Sequence, residues 1–403
     1  MQTVSDRLKD KVRFLVGNVG LADKMPQTAA LVPFDDKVTG FLEDLSHELM
    51  SDSTAKSYSD ITTFAFGIRR SSLSAIKERF TGGSNNLRLG RGTAFHIAPS
   101  NVPLNFAYSL TAGLLAGNAN IVRIPAREFP QTDIVINAIN TVLERHEDMK
   151  PYLLLVKYER DKDINDAFSA LADARIVWGG DNTINELRRS PIPPRAVEIT
   201  FADRYSLAVI DSGAYLSSAN KERTALAFYN DTYLSDQNAC TSPKLVVWSG
   251  PDAEQASDVF WKELHGIVKS KYDFKAIQAV DKLTNTLKTA LAIPGCRAVA
   301  GEDNLITRIR IPRLSPSVLD CGFHSGSFLE YMCGDITELY PVCNDKRVQT
   351  IGYIGKCEMF DPLLKMGIKG VDRIVPVGKT MDFDLIWDGY DLISSLTRIV
   401  GYL

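Results

Sequence analysis

Two short segments carry side chains suited to acyl chemistry. One is Asp236-Gln237-Asn238-Ala239-Cys240-Thr241-Ser242-Pro243, a cysteine among small polar residues just ahead of the apolar run Leu245-Val246-Val247-Trp248. The other is Ile97-Ala98-Pro99-Ser100-Asn101-Val102-Pro103, an asparagine in a Pro-x-Asn-x-Pro turn. A thiol at the edge of a strand can take up an acyl group, and a fixed amide can donate to the oxyanion that forms. Cys240 and Asn101 are therefore the candidate catalytic pair. Each has a plainer reading beside it. Cysteines are among the most buried and inert residue types, and Ser100 or Asn101 can cap a core helix with Pro103 in its first turn. The polar neighbours Asn238, Thr241 and Ser242 weigh against Cys240 as core filler, whereas Cys296 and Cys333 have apolar surroundings and read as structural. His96 and His324 also read as structural, since no Ser/His/Asp spacing accompanies them.

The elements that must position these groups follow an alternating pattern. Residues 41–80 read as helices, with Phe41, Leu42, Leu45 and Leu49 at three-to-four spacing. Gly82-Gly83-Ser84-Asn85-Asn86 reads as a turn. Strands are expected at 93–98, 119–124, 152–157, 174–178, 196–201 and 206–210, with helices at 104–116, 131–146 and 163–171. A second series has a helix at 218–234, a strand at 244–249 and a helix at 253–269. It continues with strands at 305–311, 326–332, 347–354 and 372–377 and a helix at 358–367. This βαβα rhythm predicts parallel sheets covered on both faces. Asp211-Ser212-Gly213 marks the boundary, which puts Asn101 in the first domain and Cys240 in the second.

Bulk properties narrow the function classes. A chain of 403 residues exceeds one small core, and 45% hydrophobic with 24% charged residues is ordinary globular composition. A net charge of −3 gives no nucleic-acid footprint. The six cysteines form no CxxC, which argues against a zinc site and a disulfide framework and fits a reducing compartment. The polar start Met1-Gln2-Thr3-Val4-Ser5-Asp6 lacks a signal-peptide core, and the stretch Phe106 to Val122 is broken by Ser109, Thr111, Asn118 and Asn120. The expectation is a cytoplasmic protein without a membrane span.

Cofactor signals are weaker. Gly90-Arg91-Gly92 precedes its strand and so does not read as a dinucleotide fingerprint. Gly179-Gly180 follows the strand ending at Trp178 and precedes a helix, where glycine permits close approach of a cofactor or simply makes a turn. Arg123 closes a strand and can hold a ribose phosphate, or be merely solvated. A helix opening near Ser100 would aim backbone N–H groups at a phosphate.

Taken in order, Pro99-Ser100-Asn101-Val102-Pro103, Gly117-Asn118 leading to Arg123, Gly179-Gly180 and Cys240 resemble the landmarks of the aldehyde dehydrogenase superfamily. More closely, three segments resemble the bacterial LuxC-type fatty-acyl-CoA reductases, from about residue 90 to the end. They are Phe201-Ala202-Asp203-Arg204-Tyr205-Ser206, Asn238-Ala239-Cys240-Thr241-Ser242-Pro243, and the terminal run from Met381 to Tyr390. The resemblance implies an α/β, aldehyde dehydrogenase-like fold of two parallel-sheet Rossmann-like domains with a small oligomerisation element. The domains would be a cofactor-binding domain at 1–210 and a catalytic thiol domain at 211–389. A hairpin at 79–93 and a carboxy-terminal strand at 390–403 would pair protomers, giving a homodimer or larger.

The function implied is NADPH-dependent reduction of a long-chain acyl-CoA, or an acyl-protein thioester, to the aldehyde through a Cys240 acyl-enzyme, beside an acyl-protein synthetase partner. By resemblance, Cys240 is the nucleophile and Asn101 the side-chain member of the oxyanion hole. Ser100, Arg123 and the turn Trp178-Gly179-Gly180 would bind cofactor, and Glu330 would hold the nicotinamide ribose. Glu358, in Glu358-Met359-Phe360-Asp361-Pro362, is a rival for that last role but lies too near the carboxyl terminus. Thr200 falls where acid-forming members carry their water-activating Glu, and Glu198 would share its face of the strand. An acid-forming NAD(P)-dependent aldehyde dehydrogenase and a cofactor-free thiol acyltransferase stay open as alternatives.

Overall fold

The computed structural model describes residues 4–8, 10–81, 87–382 and 384–401. The chain divides into two compact units, Met1–Ala202 with Phe383–Leu403, and Asp203–Asp382. The first unit holds strands β1 (Arg13–Val16), β2 (Leu87–Gly90), β3 (Thr93–Ile97), β4 (Ala119–Arg123), β5 (Leu153–Lys157), β6 (Ala174–Trp178) and β7 (Val197–Phe201). All but β2 join one sheet ordered β1-β5-β4-β3-β6-β7, in which β1 is antiparallel to β5 and the other neighbours are parallel. Short, mostly apolar runs make the central strands, whose residues are buried on both faces of the sheet. Phe95, Ile121, Leu154 and Ile176 share a core with Leu114, Ile139 and Phe168 from the helices Asn105–Leu115, Pro130–Leu143 and Lys162–Leu171.

From β3 the chain moves outward through β4 to β5, then returns to place β6 on the other side of β3. The order therefore reverses between β3 and β6, and a crevice at the carboxyl ends of the strands is the usual result.

The second unit holds β8 (Tyr205–Asp211), β9 (Pro243–Ser249), β10 (Arg297–Val299), β11 (Thr307–Arg310), β12 (Ser327–Cys333), β13 (Val348–Ile354) and β14 (Arg373–Pro376). They form one sheet ordered β10-β11-β12-β9-β8-β13-β14, parallel except at β10–β11. Along β9 the two-residue period of a strand sends Leu245 and Val247 into one apolar cluster and Val246 and Trp248 into another.

Three expectations need correction. The strand expected at 206–210 is β8 and belongs to the second sheet, so the first unit ends at Ala202 and is rejoined from Phe383. The polar Asp211-Ser212-Gly213 is not a linker: Asp211 caps the helix Ser212–Ser217 by accepting from the Ala214 N–H. The helix expected from 104 begins at Asn105 with Leu104 at its cap position, so neither Ser100 nor Asn101 caps it and Pro103 lies outside its first turn.

The returning tail contributes β15 (Ile386–Trp387), β16 (Tyr390–Asp391) and β17 (Thr397–Val400). β17 pairs antiparallel with β2, Thr397 against Gly90 and Val400 against Leu87. The two segments expected to pair protomers thus meet each other within one chain. The turn expected at Gly82–Asn86 and the last two residues of the 390–403 element lie outside the described residues. Among the described residues no helix is long and apolar enough to cross a membrane.

Candidate active site

Cys240 lies in the turn between the 3-10 segment Tyr233–Ser235 and β9, and it is half-buried. The approach to it is strained: Asp236 and Gln237 take positive φ of 52° and 54°, uncommon for non-glycine residues and costing on the order of 1–3 kcal/mol each. Such a conformation persists only where surroundings over-determine it, and Gln237 supplies that constraint. Its buried amide donates to the carbonyls of Pro243 and Ser327, both at 3.1 Å. Its oxygen accepts from the Gly326 and Ser327 N–H groups at 2.8 and 3.1 Å. All four hydrogen-bonding positions of the side chain are used. The buried Ser206 hydroxyl donates to the Cys240 carbonyl at 2.7 Å, and Ser235 and Ser242 pair at 3.0 Å. The thiol is therefore presented by a turn fixed through the Gln237 amide, the Ser206 hydroxyl and the Ser235–Ser242 pair.

Across from this turn, the segment His324-Ser325-Gly326 enters β12 with φ of 57° at Ser325 and 76° at Gly326. Only glycine fits the latter position, since a Cβ there would meet Tyr233 Oη at 2.2 Å. Ser325 Oγ donates to Asp236 Oδ2 at 3.3 Å, which ties the two turns together. Lys244, at the start of β9, lies over the Tyr205 ring at 6.0 Å. Burial pulls its ammonium below the usual range, while Cys240 and Asp203 draw it back up. Burial, and then the Lys244 charge, lower the His324 imidazole. Lys244 is thus the group whose charge couples to the thiol, while His324 is pushed toward its neutral form. Elsewhere in the second unit, burial pushes the Cys333 and Cys343 thiols up to about 12. Gln237 and Lys244 were missed in the sequence; their only signal was proximity to Cys240.

In the first unit the expected residues collect at one edge. Asn101 is exposed in the loop after β3, Gly179-Gly180 follow β6, and Arg123 ends β4. These loops flank the reversal between β3 and β6. Trp178 stacks on Phe201 with centroids 3.6 Å apart, and its Nε1 donates to Ser109 Oγ at 3.0 Å. Ser109 Oγ also pairs with His96 Nδ1 at 2.7 Å, and His96 Nε2 with Asn120 Oδ1 at 3.0 Å. Burial lowers His96 to about 4, so it is the neutral structural histidine expected. Gly180 occupies the cap position of the helix Asp181–Leu187. Arg123 lies over the Tyr158 ring at 4.6 Å and its Nη2 donates to the Tyr158 carbonyl at 3.4 Å, while its buried Nε has no hydrogen-bond partner among the described residues. Tyr158 also lines an open cleft of about 740 Å³ with Lys11, Arg13, Glu128 and Lys157.

Two carboxylates stand elsewhere. Glu330 is wholly buried in the second unit, where Oε1 accepts from Trp248 and Trp261 Nε1 at 2.8 Å and from Ser257 Oγ at 2.6 Å. Arg308 reaches both of its oxygens at 3.0 Å. A carboxylate so committed has no oxygen to offer a ribose, which removes the support for its expected role. Glu198 is bridged by Arg175 and, at 2.7 Å, by Arg188, and these partners hold it below its ordinary range against the opposing effect of burial. That makes it a poor water-activating base.

A family model described as Acyl-CoA reductase (LuxC) matches residues 68–271. A long-chain acyl-protein thioester reductase of Aliivibrio fischeri is 23% identical over 320 residues, 78% of this chain, which spans 64% of that relative's length. Among solved structures, aldehyde dehydrogenase 21 of Physcomitrella patens superposes with a TM-score of 0.65 at 10% identity, covering 94% of this chain and 88% of the other. An NAD-dependent benzaldehyde dehydrogenase of Corynebacterium glutamicum gives 0.61 at 12% identity, covering 94% and 86%. The fold is that of the aldehyde dehydrogenases.

Proposed function

The chain belongs to the LuxC family of acyl-CoA reductases, and from that premise we propose that it reduces a long-chain acyl thioester to the aldehyde with NADPH. The observation that carries the reading is the Cys240 turn: a half-buried thiol on strained backbone, fixed by Gln237 and Ser206, with Lys244 nearby. The Lys244 ammonium favours the thiolate, the form that attacks a carbonyl. Cys240 adds to the acyl carbonyl of an acyl-CoA or acyl-protein thioester. Asn101 Nδ2 and the Cys240 N–H donate to the tetrahedral oxyanion. The donor thiol leaves and the acyl group remains on Cys240.

NADPH, when bound, supplies the hydride that converts this acyl group to the aldehyde. The residues fit such a group: the Asn101 loop and Gly179-Gly180 flank the switch point, and Arg123 keeps a buried Nε–H without a partner among the described residues. Ser100 lies in the same loop, and Trp178 leads into the glycine pair. Arg123 serves the 2′-phosphate in this reading. Replacing it by alanine weakens NADPH binding roughly ten-fold or more and NADH binding far less, since a hydrogen bond to a charged group contributes about 1.5–3 kcal/mol. Titration with both cofactors checks this; equal losses would return Arg123 to a packing role on Tyr158.

Product analysis tests the whole reading. Glu198, the carboxylate that the sequence offers for activating water, is held by two arginines, which supports an acyl-enzyme that survives to be reduced. Aldehyde from acyl-CoA plus NADPH, over a series of chain lengths, should greatly exceed free acid formed without cofactor. Acid release as fast as reduction would favour an acid-forming dehydrogenase. An acyl-protein synthetase as donor and a homodimer or larger assembly accompany this proposal, the open β2–β17 ribbon being the surface expected to pair.

A further inference from the structure

The helix Ala276–Ala292 is turned inside out. Ile277, Val280, Leu283, Leu287 and Leu291 are each more than half exposed, Leu291 by 87%, whereas Lys282 and Thr289 are buried. The inward side is held by polar groups. Lys282 Nζ donates to the carbonyls of Asn304 at 2.6 Å, Ser325 at 2.9 Å, and Leu305 and Gly326 at 3.2 Å. Gln278 Nε2 donates to Asp236 Oδ1 at 3.2 Å and Ser325 Oγ at 3.1 Å. These bonds fix which way the helix faces, so the apolar stripe cannot roll inward without abandoning a buried ammonium among four carbonyls.

We propose that this face docks against the same helix of a second copy, in an antiparallel pair about a two-fold axis. The inference is independent of the reaction assigned to Cys240. Positions 277, 280, 284, 287 and 291 alternate three-four spacing, the seam of a two-stranded helical pair. Setting Val280 opposite Leu291 of the second copy, and Thr284 opposite its Leu287, brings Leu283 against Ala290 on one flank. On the other flank the same register sets Asp281 opposite Lys288, twice by symmetry. All of these side chains are exposed. The stripe is on the order of the 300–600 Å² of the largest patches on soluble proteins, which are often functional. It would supply much of the roughly 800 Å² each partner gives to a standard interface. A helix lying in a lipid surface carries Lys and Arg along its polar face; here the border alternates Asp281 with Lys288, and Thr284 interrupts the stripe.

Charge exchange in the full chain tests this by sedimentation equilibrium, with melting temperature as the control for folding. Asp281→Lys or Lys288→Asp alone should raise the dissociation constant of one two-fold association step roughly ten-fold or more, because like charges then face each other. Asp281→Lys combined with Lys288→Asp should restore it, and Leu287→Glu should abolish the step. Unchanged assembly in the single variants overturns the proposal, as does a double variant no better than either single one. A monomeric wild type that instead binds anionic phospholipid vesicles overturns it in favour of a lipid surface.

Discussion

Cys240→Ala should form no covalent acyl adduct and should reduce acyl-CoA on the order of 10⁴–10⁶-fold more slowly, because removal of a nucleophile costs on that scale. The protein should keep its melting temperature. The turn is held through Gln237, through Ser206 on the Cys240 carbonyl and through the Ser235–Ser242 pair, none of which uses the sulfur. Intact-protein mass spectrometry after mixing with acyl-CoA gives the readout. An adduct that persists in the variant would falsify the assignment and direct attention to Cys357, the exposed cysteine.

For Asn101→Ala, turnover should fall about 10²–10³-fold, the effect of losing one oxyanion donor, with much less change in the concentration of acyl-CoA required for half-saturation. Here the structure sharpens the expectation. Leu104, not Asn101, holds the cap position of the following helix, so the substitution should cost no more than about 1 kcal/mol of stability. A large activity loss with an unchanged unfolding midpoint is the signature of a donor to the reacting carbonyl. Unchanged turnover would place the donor elsewhere.

The parallel strands were legible because burial on both faces writes them as short, mostly apolar runs: β3, β4, β5 and β6 lie within a residue or two of where the sequence puts them. The placement of residues at strand ends was legible for the same reason, and Asn101, Arg123 and Gly179 all come to the carboxyl edge of one sheet. What escaped depends on long-range convergence. Nothing local to Glu330 announces that Trp248, Ser257, Trp261 and Arg308 will close around it. The boundary was misplaced because Asp211-Ser212-Gly213 has linker composition while serving as a helix cap. The helix Ala276–Ala292 was missed altogether. Its buried side is written in Gln278, Lys282 and Thr289, so it does not resemble a helix that packs on a core.

The return of the tail to the first unit has a consequence for how the molecule is made. Leu392, Ile393 and Leu396 belong to the first core, and the buried Asn118 amide donates to the Leu396 carbonyl at 3.0 Å. A ribosome delivers residues up to Ala202 long before it delivers these, with all of Asp203–Asp382 synthesised between. During that interval the second unit can complete its own sheet, while the first waits with an apolar groove unfilled and β2 unpaired. The nascent chain is therefore most exposed to misassociation in the unit that ends at Ala202, and a lesion in the returning segment after Asp382 registers as instability of that unit.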